Sequence, residues 1–522
     1  MFDWIVRHAR IADGTGAPIR LGDVAIEKGR IAAIGDLSAA AAHQTLDAHG
    51  ALLCPGFIDA HTHSDTFILI EPFAPSKLAQ GVTTEVCGNC GGSAAPKLNG
   101  VKLPSDWEAL TYPHSWQTVA EYRAALSSAK PAVNILLYVG HNTLRKGVCG
   151  DAPRAATEEE VKLMCRRLEQ ALEEGAWGLS TGLVYHPGVH ARPEEVQALA
   201  RTAARLGGGY ATHMRSEGDR LLEAVDEVLN LGRDSGIRLQ ISHLKTAGHK
   251  NWCKIDALLS KLNAARAEGL TLHADRYPYL AAGTDLDIVL PDWASAGGRD
   301  AILANLANPT KRQRIIDELN ACERDWNAVQ LGGTWSERTR TFAGRMLSEV
   351  FATKGSWQSI GELVAEIIES DGTRTSAFFF GMCETNLDRI LQQDWVMAGS
   401  DASLRSPSGP LSIDYPHPRA YGTMPEFFRR VKAFSTTEEA VRRMTGLPAE
   451  AFGLHNRGLV KEGYAADLTL LDEALFSAGA TYANPRQFAR GVREVWVNGG
   501  HAFSNGQFLN DRRGVFLARG EA

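Results

Sequence analysis

The feature that most constrains this chain is an alternation. Eight short apolar runs lie at 56–60, 83–87, 134–140, 176–180, 209–212, 238–242, 270–274 and 395–400, with helical patterns between most of them. Thr157 opens a Thr-Glu-Glu-Glu segment with capping-box spacing ahead of a helix expected at 161–174. Segments 193–206, 220–231 and 256–267 also carry apolar residues at helical spacing. A strand followed by a covering helix returns the chain parallel to itself. Eight such units close a (β/α)₈ barrel. The expected fold class is therefore α/β, a TIM-like (β/α)₈ barrel.

The 522 residues exceed what a barrel alone requires. The first 50 read as β-rich, with strands at 3–11 and 22–27 and a tight turn at Lys28-Gly29-Arg30 before 31–34. Short strands return at 466–471, at 491–497 and from 507 onward. Both ends are expected to build one small β-sandwich, from 1–54 and 458–522, around a barrel at 55–457. One step of the barrel is too long: strand seven ends near Arg276 and strand eight begins near Trp395. An insertion of several helices at about 287–355 accounts for it, placed over the barrel mouth as a lid.

Net charge is −6 and the isoelectric point about 6.3, which excludes a basic face for nucleic acid. No apolar stretch is long enough to span a bilayer, and the N-terminus reads as a strand, not a leader. The eight cysteines are scattered, which argues against a disulfide framework and for a reducing, cytoplasmic setting. Thiols there are free to act as ligands.

The chemistry concentrates at strand ends. Asp59-Ala60-His61-Thr62-His63 closes the first run, and residues two apart on a strand share a face, so His61 and His63 point the same way. His213 ends Tyr-Ala-Thr-His at strand five, His243 ends Gln-Ile-Ser-His at strand six, and Asp401 follows strand eight. Catalytic groups of such barrels come from strand C-termini. Cys90 follows strand two in Cys87-Gly88-Asn89-Cys90-Gly91-Gly92, where glycines let the backbone turn sharply over the mouth. Thiolate with imidazole favours zinc over magnesium or calcium. Cys87 reads as strand core. His141 and His273 read as structural residues or as supports behind the ligands. His8, His43, His49, His455 and His501 belong to the β-rich ends or their connections.

These residues resemble the amidohydrolase superfamily, specifically the N-acyl-D-amino-acid deacylases (D-aminoacylases). The resemblance runs through Pro55-Gly56-Phe57-Ile58-Asp59-Ala60-His61-Thr62-His63, Gly88-Asn89-Cys90-Gly91, Thr212-His213-Met214-Arg215, Ser242-His243-Leu244-Lys245, Asp275-Arg276-Tyr277-Pro278-Tyr279, Gly399-Ser400-Asp401 and His417-Pro418-Arg419-Ala420-Tyr421-Gly422-Thr423. It implies hydrolysis of N-acyl-D-amino acids by metal-activated water, with Asp401 as general base and then acid. It implies one zinc held tightly by Cys90, His213 and His243, and a weaker second position at His61, His63 and Asp401. Tyr185, Lys245, Tyr277 and Arg419 match positions that hold the substrate carboxylate and carbonyl oxygen. The implied partner is a small N-acyl amino acid. Cyclic-amide hydrolases of the superfamily bridge two metals with a strand-four lysine, and residues 176–181 contain none. A dipeptidase or another N-acyl amidase remains a related alternative. A metal-free scaffold would be expected to have lost ligands, and none is missing.

Overall fold

Parallel pairing carries the chain once around a closed barrel. The architecture is taken from a computed structural model that describes residues 1–98, 107, 110–353, 355 and 357–521. The parts of the expected barrel, insertion and sandwich ranges at 99–106, 108–109, 354, 356 and 522 lie outside the described residues. The barrel strands are Phe57–Asp59, Val82–Cys87, Asn134–Leu137 with Val139–Gly140, Gly178–Gly182, Gly209–His213, Arg238–Ile241, Leu272–Arg276 and Val396–Ala398. Each pairs parallel with the next. The third strand is split: its first piece pairs with the second strand and its last two residues with the fourth. Closure comes from Ala60 N donating to Ala398 O at 3.1 Å and Asp401 N donating to His61 O at 2.8 Å.

The eight expected runs are these eight strands, with ends displaced by up to a few residues. They were legible because strands covered on both faces read as continuous apolar runs. The surrounding helices follow their local signals. In Glu158–Glu173, Thr157 and Glu160 cap each other reciprocally, and Met164, Leu168, Ala171 and Leu172 form the buried stripe. Pro193 opens Pro193–Arg205 at a position that needs no amide hydrogen.

Both termini enter one nine-stranded sheet. Strand Phe2–Ile11 pairs antiparallel with Arg20–Glu27, parallel with Ala42–Asp47 along its first part, and parallel with Leu52–Pro55 at its end. Leu52–Pro55 then pairs antiparallel with Leu468–Leu471. Val6, Ile26, Leu53, Leu470 and Trp496 share one apolar cluster, so the first and last segments bury a common core. The strand Ala42–Asp47 escaped the sequence reading because none of its residues is fully buried and they carry no apolar alternation.

The insertion is larger and more mixed than the helices expected at about 287–355. It contains an antiparallel sheet of Ala281–Asp285, Ser376–Phe380 and Val329–Leu331, in that spatial order with Ser376–Phe380 central. Helices Gly298–Ala307, Pro309–Ala321 and Ile360–Ser370 pack on it around a separate core that includes Leu306, Ile315, Leu331, Val364 and Ile368. Ala281–Asp285 is short and half-buried, which weakened its signal, whereas Ser376–Phe380 is an apolar run, Ser-Ala-Phe-Phe-Phe, that lies outside the barrel's own alternation.

Candidate metal centre

The residues singled out at strand ends converge at the barrel mouth. His61 and His63 lie just beyond the first strand, Cys90 beyond the second, His213 at the end of the fifth, His243 beyond the sixth and Asp401 beyond the eighth. Cys90 Sγ stands 3.3 Å from His61 Nε2 and 3.4 Å from His243 Nε2. Asp401 Oδ1 stands 3.3 Å from His61 Nε2 and 3.1 Å from His63 Nε2. The His213 and His243 rings meet edge to face at 4.4 Å. Donor atoms of His61, Cys90, His243 and Asp401 all lie within 4.8 Å of one another.

The backbone is bent to present these groups. Cys90, His243 and Asp401 adopt positive φ values of 51°, 37° and 49°. This region is costly for a side-chain-bearing residue and is found where surrounding structure over-determines it. Gly88 and Gly91 flank the Cys90 turn at φ 76° and 79°. A Cβ on Gly88 would overlap the carbonyl oxygen of Tyr138, so the turn requires glycine on two counts.

The charge balance suits a cation. Burial disfavours a charged Cys90, yet the imidazoles of His61 and His243 overrule it and hold the thiol well below its usual range. Burial likewise opposes ionisation of Asp401, and Arg419, His243 and His61 outweigh it. His63 is driven the other way: burial is overcome by Asp401 and Cys90, which raise it to about 9. A thiolate and a carboxylate side by side call for positive charge, a role a divalent cation fills as well as imidazolium does. His213 Nδ1 is buried with no hydrogen-bond partner, an atom the protein alone leaves unused. Zinc bonds of about 2.1 Å to nitrogen and 2.3 Å to sulfur put tetrahedral ligands about 3.5 Å apart, close to the separations at Cys90. The donor set fits zinc.

Two carboxylates behind the ligands were not singled out in the sequence. Asp275 is fully buried on the seventh strand. Its Oδ1 accepts from His243 N at 2.8 Å and lies 3.1 Å from His61 Nδ1, and its Oδ2 accepts from Gln240 Nε2 at 2.6 Å. Glu217 follows the fifth strand, with Oε1 2.8 Å from His243 Nδ1 and also bonded to Lys245 Nζ. Such outer partners fix ring orientation and tautomer. Position on a strand flags Asp275 weakly. For Glu217 the only cue is its four-residue separation from His213.

The four expected substrate contacts line the same cavity of about 1470 Å³, roofed in part by the insertion through residues such as Arg299, Leu303 and Phe378. Arg419 is buried. It donates to Asp401 Oδ2 at 2.7 Å and to Gly283 O at 3.1 Å, and its guanidinium lies 4.7 Å from the Tyr277 ring centre. The Tyr277 hydroxyl is buried without a partner. Tyr185 stacks edge-on against His213 at 4.9 Å, its hydroxyl 3.3 Å from Thr284 Oγ1. Lys245 Nζ also lies 2.7 Å from His243 Nδ1.

The remaining residues separate cleanly. Cys87 is buried core, its sulfur 3.2 Å from Thr62 Oγ1. His141 begins helix His141–Cys149 and reaches Glu195 at 2.9 Å, away from the ligands. His273 is buried within the seventh strand.

Several known proteins are similar to this chain over most of its length. The Amidohydrolase family matches residues 44–285 and 362–502, leaving out most of the insertion. A D-aminoacylase of Alcaligenes xylosoxydans xylosoxydans is 36% identical over 99% of this chain and 98% of its own length. An N-acyl-D-aspartate deacylase of the same organism is 35% identical over 100% of this chain and 96% of its own. The crystal structure of an N-acyl-D-glutamate deacylase from Bordetella bronchiseptica, complexed with zinc and a phosphonate mimic of the tetrahedral intermediate, superposes with a TM-score of 0.83 at 32% identity, covering 99% of each chain.

Proposed function

Because the chain belongs to the amidohydrolase family, in its N-acyl-D-amino-acid deacylase branch, we propose that it hydrolyses N-acyl-D-amino acids to a carboxylic acid and a free D-amino acid. It is a metal-dependent enzyme acting on amide C–N bonds. The observation that carries the substrate reading is the buried cluster of thiolate, imidazoles and carboxylate opening into a cavity that also presents Arg419 and Tyr277. Cys90, His213 and His243 would hold one zinc tightly, and His61, His63 and Asp401 would form a weaker second position. Zinc bound there supplies Lewis acidity, acidifying water and polarising a carbonyl.

The residues supply the remaining steps. The Arg419 guanidinium, 2.7 Å from Asp401 Oδ2, favours its carboxylate form, in which Asp401 can accept the proton of the attacking water. The water oxygen bonds to the acyl carbon. The C–N bond then breaks, and Asp401 returns its proton to the leaving amine. Arg419 and Lys245 offer positive charge to the substrate carboxylate, Arg419 from a guanidinium whose fork is fixed by Asp401 Oδ2 and Gly283 O. The Tyr185 and Tyr277 hydroxyls are donors for the carbonyl oxygen, and that of Tyr277 has no other partner. A cyclic-amide reading is disfavoured by the fourth strand, Gly178–Gly182, which carries no lysine.

The test is a panel of N-acetyl-D- and L-amino acids, run with and without zinc. Metal-dependent turnover of D substrates alone is expected. Preferential turnover of L substrates would overturn the reading. Cys90→Ala and Asp401→Ala should each lower kcat about a thousandfold or more while leaving the circular dichroism unchanged, since Cys90 is a ligand and Asp401 the proton carrier. Near-normal turnover in either would refute the assigned roles.

A further inference from the structure

Beneath the metal centre lies a polar network that the chemistry above does not use. Lys77, on the short helix Pro75–Leu78 between the first two barrel strands, is fully buried. Its Nζ donates to Asp59 Oδ2 at 2.9 Å, Ser400 Oγ at 3.1 Å and Ala402 O at 3.2 Å, and lies 3.1 Å from Glu85 Oε1. Ser400 and Ala402 are the two chain neighbours of Asp401. Asp59, at the end of the first strand, completes the link: its Oδ1 accepts from Ser400 N at 2.8 Å and lies 3.4 Å from His61 N.

We infer that Lys77 is a positioning residue, clamping the His61 strand to the Asp401 turn so that base and ligands keep their mutual geometry. The inference rests on the role given to Asp401 above. Three observations carry it. Asp401 sits at φ 49°, a backbone state that needs support from both sides, and Lys77 bonds to both sides. The strand leading to it, Val396–Ala398, ends before Asp401, and beyond that end the turn is tied to the first strand by single backbone bonds, Asp401 N to His61 O at 2.8 Å and His63 N to Ala402 O at 3.4 Å, to which Lys77 adds the side-chain link. The same helix also pins the following loop: Ser76 Oγ accepts from Arg405 N at 2.9 Å, and Ser76 N donates to Arg405 O at 3.3 Å. A lysine ammonium gathers three rotatable donors on one compact atom at the end of a long stem, which suits acceptors that converge from both strands.

The experiment uses full-length protein loaded with zinc or cobalt(II). Lys77→Met is made together with Glu85→Gln, which leaves the summed charge of the cluster unchanged. Ser400→Ala removes the Lys77 contact together with the bond from Ser400 Oγ to His61 O at 3.4 Å, and keeps the ion pairs. Displacement of the base by about 1 Å costs about a hundredfold in rate, so kcat of the double variant should fall about a hundredfold with KM within about twofold. Ser400→Ala should lose about tenfold in the same pattern. The visible bands of the cobalt protein should shift in both variants. A folded double variant with wild-type kcat and cobalt spectrum would overturn the inference, as would a rise in KM at constant kcat. If the double variant does not fold, Ser400→Ala decides by the same criteria. If the wild-type protein shows no deacylase turnover, the functional reading fails instead, and the cobalt spectra alone decide whether Lys77 sets the ligand geometry.

Discussion

Asp275→Asn is the most searching perturbation of the candidate centre, because it changes almost no volume. The carboxylate serves three donors: Gln240 Nε2 at 2.6 Å, His243 N at 2.8 Å and His61 Nδ1 at 3.1 Å, the last off the line of a good hydrogen bond. Asparagine offers one oxygen and one amide. If its oxygen keeps His243 N and His61, its NH₂ faces the NH₂ of Gln240. Gln240 can rotate to present Oε1, which has no partner, but then Ala60 O loses the donor it now has at 3.0 Å. One buried carbonyl left unpaired costs about 1–3 kcal/mol. Replacing the charge with a neutral acceptor weakens the remaining contacts by about 1 kcal/mol each, since charge-assisted bonds are roughly twice as strong. The share that falls on His61 and His243 is therefore about 1–2 kcal/mol, or roughly 5- to 30-fold in metal retention. The assay is zinc release to a chromophoric chelator, with kcat/KM on the best D substrate measured in parallel. Release and kcat/KM within twofold of wild type, in a protein of reduced stability, would show that Asp275 supports the fold without orienting the ligands.

Two further outcomes follow from the same structure. Burial, reinforced by Arg266, Arg442 and Arg238, pushes His273 from 6.5 down to about 4. The unfolded chain therefore takes up this proton first, stability falls as pH drops from 6.5 to 4, and the group accounts for about 3 kcal/mol of that loss. His273→Leu should flatten the pH dependence of denaturant unfolding in this window relative to wild type; the cluster at the barrel mouth is common to both proteins, so an identical slope would refute the assignment. Arg419→Lys keeps the charge and loses the fork that now spans Asp401 Oδ2 and Gly283 O. KM for N-acyl-D-amino acids should rise about tenfold or more, and an unchanged KM in steady-state kinetics would remove Arg419 from substrate binding.

The legible part of this protein is what depends on near neighbours in the chain. Continuous apolar runs located all eight barrel strands, and the Thr157–Glu160 cap and Pro193 located helix starts. Strand-end placement then picked out His61, His63, Cys90, His213, His243 and Asp401, because a parallel barrel gathers its strand C-termini at one mouth whatever its loops do. Among the strands that were not legible, Val329–Leu331 is buried but too short to show a period, and neither the half-buried Ala281–Asp285 nor Ala42–Asp47, which has no fully buried residue, has to repeat apolar residues.

What only the tertiary structure decided is which groups stand behind the ligands. Asp275 meets His61 and His243, Glu217 meets His243 and Lys245, and Lys77 meets Asp59 and both neighbours of Asp401. These contacts join residues from 18 to more than 300 positions apart. They are fixed by strand register and barrel closure. The sequence determined that a zinc-type donor set would meet at a barrel mouth, because ligand type and strand position are local properties. The closed barrel decided how those donors are held, because a buried charge takes its partner from whatever the fold brings within reach.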